Sequence, residues 1–189
     1  MIAAVVPMKA TDLAKSRLSG VLDDAGRRAL TRQMFDHVLA TLRDAGIAQV
    51  QVASADETGD HLNADVTAAA RRVQEAGATE LLLVMADLPY LAAADIAAMI
   101  DAGRTSDVVI AEAKDGGTNA LLLRPPTVLH FAFATSRPSA RFHLNHARKV
   151  GIEPAIVRRP GLARDIDTPD DLTALVSDHP AYRVFRHVA

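Results

Sequence analysis

Short apolar, β-branched runs alternate along this chain with longer stretches in which apolar side chains return every three or four positions, the pattern of strands separated by crossover helices. Ile2 to Val6 is continuous enough to be buried on both faces. From Asp23 to Ala45, Leu30, Met34, Val38 and Leu42 fall on one helical stripe, and Gly46 supplies the stop. Val50 to Ala53 reads as a second strand and Asn63 to Gly77 as an Ala-rich helix ended by glycine. Glu80 to Ala86 is the most strand-like run and is expected at the centre of the sheet. Ala93 to Ala102 reads as a helix, Asp107 to Ala111 and Asn119 to Leu123 as strands, Ser139 to Val150 as a helix capped by Gly151, and Glu153 to Arg158 as a last strand.

The closing helix has a clear start in Thr168-Pro169-Asp170-Asp171: Thr is a fitting N-cap, Pro a fitting first-turn residue, and Asp171 takes the carboxylate place of a capping box. Its end is expected near Ser177. The remaining segment, His179 to Ala189, carries Tyr182, Val184, Phe185 and Val188, apolar enough to dock on the body or on a second subunit, which allows a homodimer. The alternation predicts a three-layer α/β/α domain with a mainly parallel, Rossmann-like sheet and a ligand crevice at the carboxyl ends of the strands.

Composition narrows this picture. With 189 residues, 49% of them hydrophobic, the chain can bury one substantial core, so residues 1–189 are expected to form a single domain. Met1 runs straight into an apolar strand without a charged leader, and there is no long apolar run, so a cytoplasmic protein with no membrane partner is expected. The absence of cysteine removes disulfides, thiolate metal sites and a cysteine nucleophile, so any metal must sit on oxygen or imidazole. A formal charge of −2, no long basic block and 4% aromatic residues argue against a nucleic-acid surface.

Five constellations could carry chemistry. The loop from Pro7 to Leu18 places Lys9, Lys15 and Arg17 just beyond the first strand, where they could neutralise the phosphates of a nucleotide; it has no P-loop glycines, and a solvated basic loop is the alternative. Asp87, in Ala86-Asp87-Leu88-Pro89, sits at the carboxyl end of the most hydrophobic strand. A carboxylate there needs a compensating cation such as magnesium, or else backbone N–H groups in a tight turn. Asp165-Ile166-Asp167 follows the last strand; in extended chain the two carboxylates share one side while Ile166 faces the core, which suits a metal, although Asp167 could also simply favour the following helix N-terminus.

The glycine pair in Asp115-Gly116-Gly117-Thr118-Asn119 fits a hairpin turn. Its bare N–H groups and the Thr118 hydroxyl could also form a nest for a phosphate or carboxylate, with Asn119 adding donor and acceptor capacity. Finally, Arg137-Pro138-Ser139-Ala140-Arg141-Phe142-His143 leads into a helix N-terminus, a natural anion site, with Ser139 as a cap or a phosphate ligand and Arg137 or Arg141 adding charge. His143 has no adjacent hydroxyl nucleophile, so it reads as a structural or surface residue and not as a catalytic base.

In the blocks VPMK and AKSRL (Pro7, Lys9, Lys15 to Leu18, Ser16 included), SAD (Ser54 to Asp56), LNA (Leu62 to Ala64), ADLP, DGGTNALLLRPP (Asp115 to Pro126), Ser139 with His143, and DIDTPDDL (Asp165 to Leu172), the chain resembles the 2-phospho-L-lactate guanylyltransferase family of coenzyme F-420 biosynthesis, within the nucleotide-diphospho-sugar transferase fold. The resemblance implies that Asp87, Asp165 and Asp167 hold magnesium, and that Thr118, Ser139 and the Gly117 backbone hold the acceptor's phosphate and carboxylate. It further implies that Lys9, Lys15 and Arg17 bind the GTP phosphates, and that Ser54, Asp56 and Asn63 lie near the nucleoside. Two departures stand out: Asp56 and Asn63 are nearly adjacent where the family has a longer stretch, and the family's FGxxSFxRH is replaced by Phe133 to His143 with an added arginine.

An anionic acceptor phosphate needs no strong general base to attack the α-phosphorus of GTP, so the implied work is charge neutralisation and in-line positioning. Acceptors within the family's reach are 2-phospho-L-lactate, phosphoenolpyruvate and 3-phospho-D-glycerate. A CTP- or UTP-using transferase of the same fold and a non-catalytic nucleotide-binding module are the alternative readings.

Overall fold

The computed structural model describes residues 1–8, 15–54, 62–133 and 138–186. Its elements run β1 (Ile2–Met8), a 3-10 turn (Ser16–Leu18), α1 (Asp24–Asp44), β2 (Gln49–Ser54), α2 (Leu62–Glu75), β3 (Glu80–Val84), α3 (Ala93–Ala102), β4 (Val108–Glu112), β5 (Thr118–Leu123), α4 (Ser139–Lys149), β6 (Ala155–Val157), α5 (Pro160–Ala163), α6 (Pro169–Asp178) and a second 3-10 segment (Pro180–Phe185). The six strands are ordered β2-β1-β3-β5-β4-β6. β1 pairs in parallel with β2 and β3, and β4 with β6, while β5 runs antiparallel between β3 and β4.

The alternation along each strand creates the layers, because successive side chains point to opposite faces. Ala3 and Val5 of β1 pack with Val66, Ala69 and Val73 of α2 and with Ala140 and Ala147 of α4 on one side. Ala4 and Val6 pack with Phe35, Val38 and Leu42 of α1 and with Ile96 and Met99 of α3 on the other. β3 is covered on both faces, as expected of its ELLLV run, with Leu81 to Val84 fully buried. Among the described residues no helix is long and apolar enough to cross a membrane.

A third cluster determines where chemistry can occur. Leu18, Leu30, Met34, Ile166, Leu172, Leu175, Val176, Tyr182 and Phe185 pack together at the edge of the domain. Ile166, 1% exposed, turns inward as the Asp-Ile-Asp spacing predicts. Leu18 and Ile166 thus tie the chain after β1 and the chain before α6 to one apolar nucleus. Tyr182 and Phe185 of the closing segment dock on this body, whereas Val184 is 78% exposed.

The antiparallel β5 also matters for position. Val84 pairs with Ala120, and Met85 N–H donates to the Asn119 carbonyl at 2.9 Å, so Thr118 at the start of β5 stands level with the chain just beyond β3. The starting end of β5 and the finishing ends of β1, β3, β4 and β6 therefore share one rim. Between β4 and β5 the expected hairpin forms, with Gly116 at φ 83°, a left-handed backbone that favours glycine.

The four-residue helix α5 was not legible, being too short to show a helical period; Pro160 opens it at a first-turn position. Ser139, expected as a cap, is instead the first helical residue after Pro138, and its hydroxyl turns inward to Thr118.

Candidate active site

Lys15 is the residue that organises the rim. Its backbone is left-handed (φ 58°, ψ 38°), a conformation that costs a non-glycine residue about 1 kcal/mol or more. Its side chain is 8% exposed and its ammonium is held between Asp87 and Asp167, donating to Asp167 Oδ1 at 2.8 Å and to Asp87 Oδ2. Burial alone pushes the Lys15 pKa down, but attraction to Asp87 and Asp167 and the hydrogen bonds to both outweigh it, and the net shift is upward. Arg17 Nη1 lies 3.8 Å from Asp167 Oδ2 with its side chain 73% exposed, and Ser16 beside it is exposed.

Asp165 completes the acidic group. One carboxylate oxygen from each of Asp87, Asp165 and Asp167 lies within 4.8 Å of the others. Burial first, and then the neighbouring charges of Asp87 and Asp167, push the Asp165 pKa up to about 6. Its Oδ1 is buried with no hydrogen-bond partner. Three carboxylates so close repel one another unless a cation lies among them, and the donor set is all hard oxygen, the kind magnesium takes. The three residues therefore fit a divalent cation, and Lys15 supplies positive charge to the same place in its absence.

Backbone ties hold Asp165 and Asp167 there. Gly161 in α5 approaches so closely that a Cβ would meet Asp95 Oδ2 at 2.0 Å and the Tyr90 carbonyl at 2.5 Å, so α5 can seat against the loop following Asp87 only with glycine. Arg159 Nε donates to Asp95 Oδ1 at 2.9 Å, Asn119 Nδ2 to the Leu162 carbonyl at 2.9 Å, and Lys114 N–H to the Ala163 carbonyl at 3.0 Å. Beyond Asp167, the Asp171 carboxylate accepts from Asp167 N–H at 3.1 Å and Thr168 N–H at 2.8 Å, and Thr168 Oγ1 accepts from Asp171 N–H at 3.3 Å, so the expected capping box forms. Burial opposes ionisation of Asp171, but the Lys114 ammonium and these donors outweigh it and bring its pKa down to about 2.

The second group of residues is neutral. The Gly117 N–H is taken by Asp115 Oδ1 at 2.8 Å. Thr118, 4% exposed, shares its hydroxyl oxygen between Ser139 Oγ at 3.0 Å and His143 Nδ1 at 3.0 Å, and Ala132 N–H donates to His143 Nε2 at 3.2 Å. Burial lowers the His143 pKa to about 4, so the imidazole is neutral at pH 7. His143 is buried rather than on the surface, and its partners are ones that only the fold brings to it.

Of the residues singled out in the sequence, the fold gathers Lys15, Arg17, Asp87, Asp165 and Asp167, and separately Gly117, Thr118 and Ser139. Asn119 is buried and turned to Leu162, away from solvent. Asn63 spends both ends of its amide on Phe133, donating to its carbonyl at 3.2 Å and accepting from its N–H at 2.7 Å. Lys9, Asp56, Arg137 and the side chain of Ser54 lie outside the described residues. Sequence reasoning did not single out Tyr90, Lys114 and Arg164, which with Asp165, Asp170 and Asp171 line a recess of about 200 Å³ beside the acidic group. Arg164 lies over the Tyr90 ring, its guanidinium carbon 3.9 Å from the ring centre. Adjacency to the Asp-Ile-Asp and Asp-Gly-Gly-Thr blocks is the signal that could have drawn attention to Arg164 and Lys114.

Comparison with known proteins bears on this rim. A family model described as guanylyl transferase, CofC-like, matches residues 2–183. A phosphoenolpyruvate guanylyltransferase of Rubrobacter xylanophilus is 39% identical over 190 residues, covering 91% of this chain and 92% of the relative. A 2-phospho-L-lactate guanylyltransferase of Methanoregula boonei is 33% identical, covering 92% of this chain and 81% of its own. Among solved structures, one from Desulfovibrio desulfuricans named as a nucleotide-diphospho-sugar transferase superposes with a TM-score of 0.79 at 17% identity, covering 94% of this chain and 87% of that one. That likeness establishes the expected fold.

Proposed function

Since the chain belongs to the CofC-like guanylyl transferase family, we propose that it joins GMP from GTP to the phosphate of a small phosphorylated carboxylic acid, releasing pyrophosphate, in coenzyme F-420 biosynthesis. Phosphoenolpyruvate ranks first among the acceptors because the more similar of the two relatives described carries that name, with 2-phospho-L-lactate and 3-phospho-D-glycerate behind it.

The observation that carries this reading is the convergence of Asp87, Asp165 and Asp167 around a buried ammonium at the carboxyl rim of the sheet. Asp165 Oδ1, buried and unpartnered, fits a divalent cation as the missing partner. Magnesium held by these three carboxylates would neutralise phosphate charge and polarise the α-phosphoryl group.

The remaining work belongs to the chain's own side chains. An acceptor phosphate oxygen, already anionic near neutral pH, forms a bond to the α-phosphorus, and the bond from that phosphorus to the bridging oxygen breaks. The electron pair leaves on pyrophosphate, and no proton has to be removed. Lys15 stands where triphosphate oxygens would compete with Asp87 and Asp167 for its ammonium. Exposed Arg17, at the edge of the group, offers a planar fork of donors to the departing pyrophosphate. Thr118 and Ser139 are assigned to the anionic groups of the acceptor, and the Gly117 N–H would join them only by leaving Asp115 Oδ1.

Pyrophosphate release from each of the four nucleoside triphosphates, with each of the three acids, with magnesium and with a chelator, tests the proposal. Release is expected only with GTP, magnesium and a phospho-acid. Release with CTP or UTP in place of GTP would reassign the donor, and no release with any combination would leave a nucleotide-binding module.

A further inference from the structure

The hydrogen-bond chain ending on Thr118 has a direction that can be worked out from one fixed donor. The Ala132 backbone N–H can only donate, and it points at His143 Nε2 from 3.2 Å. Nε2 must therefore present its lone pair. The imidazole is neutral, so its single proton sits on Nδ1 and is donated to Thr118 Oγ1 at 3.0 Å. The remaining contact, Ser139 Oγ to Thr118 Oγ1 at 3.0 Å, uses one hydroxyl proton of the pair. Two hydroxyls carry two protons; with one shared between them and none given to His143, one O–H is left that no described residue takes, available to a ligand. The opposite tautomer would have Thr118 donate to Nδ1 and leave the pair no such donor.

We propose that His143 is a positioning residue that fixes the Thr118–Ser139 pair as a hydrogen-bond donor to an anionic oxygen of the acceptor. The ring cannot easily abandon this role. His143 is 0% exposed, and Phe133 and Phe142 pack on it with ring centres 5.0 Å and 5.7 Å away. Burial holds its pKa at about 4, which keeps a second proton off Nε2 at working pH. Thr118 stands at the start of β5, level with the chain that runs from β3 to Asp87, which places the pair at the same rim as the acidic group. The inference rests on the proposed function for the identity of the ligand, but its hydrogen-bond direction does not.

Two variants separate the two ring nitrogens. Asn at this position can place its amide N–H where Nδ1 stands, whereas Gln reaches the place of Nε2 and leaves Thr118 without its donor. His143→Gln should raise the acceptor KM by about 10- to 100-fold with little change in the KM for GTP, and His143→Asn should restore most of that loss. A residue that merely supports the fold would lose or keep activity in both variants alike. Competitive inhibition by inorganic phosphate and by pyruvate, measured in wild type and His143→Gln, tells which acceptor group is bound: loss of one inhibitor's effect supports the proposal and assigns the group, and loss of neither overturns it. Nitrogen NMR of the wild-type ring must show the proton on Nδ1. A proton on Nε2, or equal kinetic effects of the two variants, would overturn the proposal, whereas failure of wild type to turn over any phospho-acid would strike the function and leave the NMR result standing.

Discussion

Three carboxylates face one buried ammonium on the Asp87, Asp165 and Asp167 side of the rim, and one of their oxygens is buried without a partner. Thr118, Ser139 and His143 themselves carry no formal charge at pH 7, and both ring nitrogens have partners. The first group carries an electrostatic demand that the protein alone meets only in part, which is what the proposed role in holding cations and phosphates would require. The second is already ordered by its own hydrogen bonds and can act as a fixed template. Binding of a metal nucleotide should therefore stabilise the first group strongly and leave the second nearly unchanged.

The largest expected break in this contrast is Asp165→Asn. It removes a proposed metal ligand, and turnover should fall by about 10²–10³-fold, the scale of several kcal/mol of charge stabilisation in the transition state. The same change relieves the repulsion that raises the Asp165 pKa, so metal-free Asp165→Asn should unfold at no lower denaturant concentration than wild type. Activity assays with magnesium and denaturant melts with a chelator check both halves. Wild-type turnover would remove Asp165 from the site.

Lys15→Met comes next. The Lys15 ammonium is buried but Asp87 and Asp167 are partly exposed, so removing it leaves partly hydrated charges and costs less than breaking a fully buried pair, about 2–3 kcal/mol. With a chelator present, the unfolding free energy of Lys15→Met should fall by that order, and millimolar magnesium should recover part of it, because the cation can then occupy the place between Asp87 and Asp167. Wild type, with its own ammonium in place, should gain less from magnesium alone. Equal gains in the two proteins would show that the ammonium and the metal do not compete for one position.

Much of the charged side is legible in the amino-acid sequence. Asp165-Ile166-Asp167 has a two-residue period that puts both acids on one side and Ile166 in the core, and an acid after ELLLVMA needs either a cation or the backbone donors of a tight turn. The strand and helix order is equally readable, since period-2 and period-3.6 patterns are local. What escapes is what depends on contacts distant in sequence. Lys15 reads as a nucleotide ligand; that it bridges residues 72 and 152 positions away is a product of the fold. The tie from His143 to Ala132 and Thr118 is likewise invisible in spacing. Gly161 looks ordinary in sequence because its reason is a close approach to Asp95 and Tyr90.

The smallest effect, and the one that isolates the neutral side, is the acid response of His143. Its pKa is about 6.5 in an unfolded chain and about 4 in the fold, because burial disfavours the imidazolium. Between those values the unfolded state binds the proton that the folded state refuses, so stability is full above pH 6.5 and is lost as pH falls toward 4. From pH 8 to pH 5 the loss from this residue should be about 2 kcal/mol. Asp165, whose pKa is raised, contributes with the opposite sign in an overlapping range, because protonation relieves its repulsion in the fold. The measurement therefore belongs in an Asp165→Asn background, with and without His143→Asn, followed by denaturant melts at each pH. The remaining histidines are common to both proteins, so the difference in slope reports His143 alone. Parallel slopes would mean that the ring accepts its proton in the folded state, and the neutral chain through Thr118 and Ser139 could not then be the fixed template that distinguishes it from the carboxylate side.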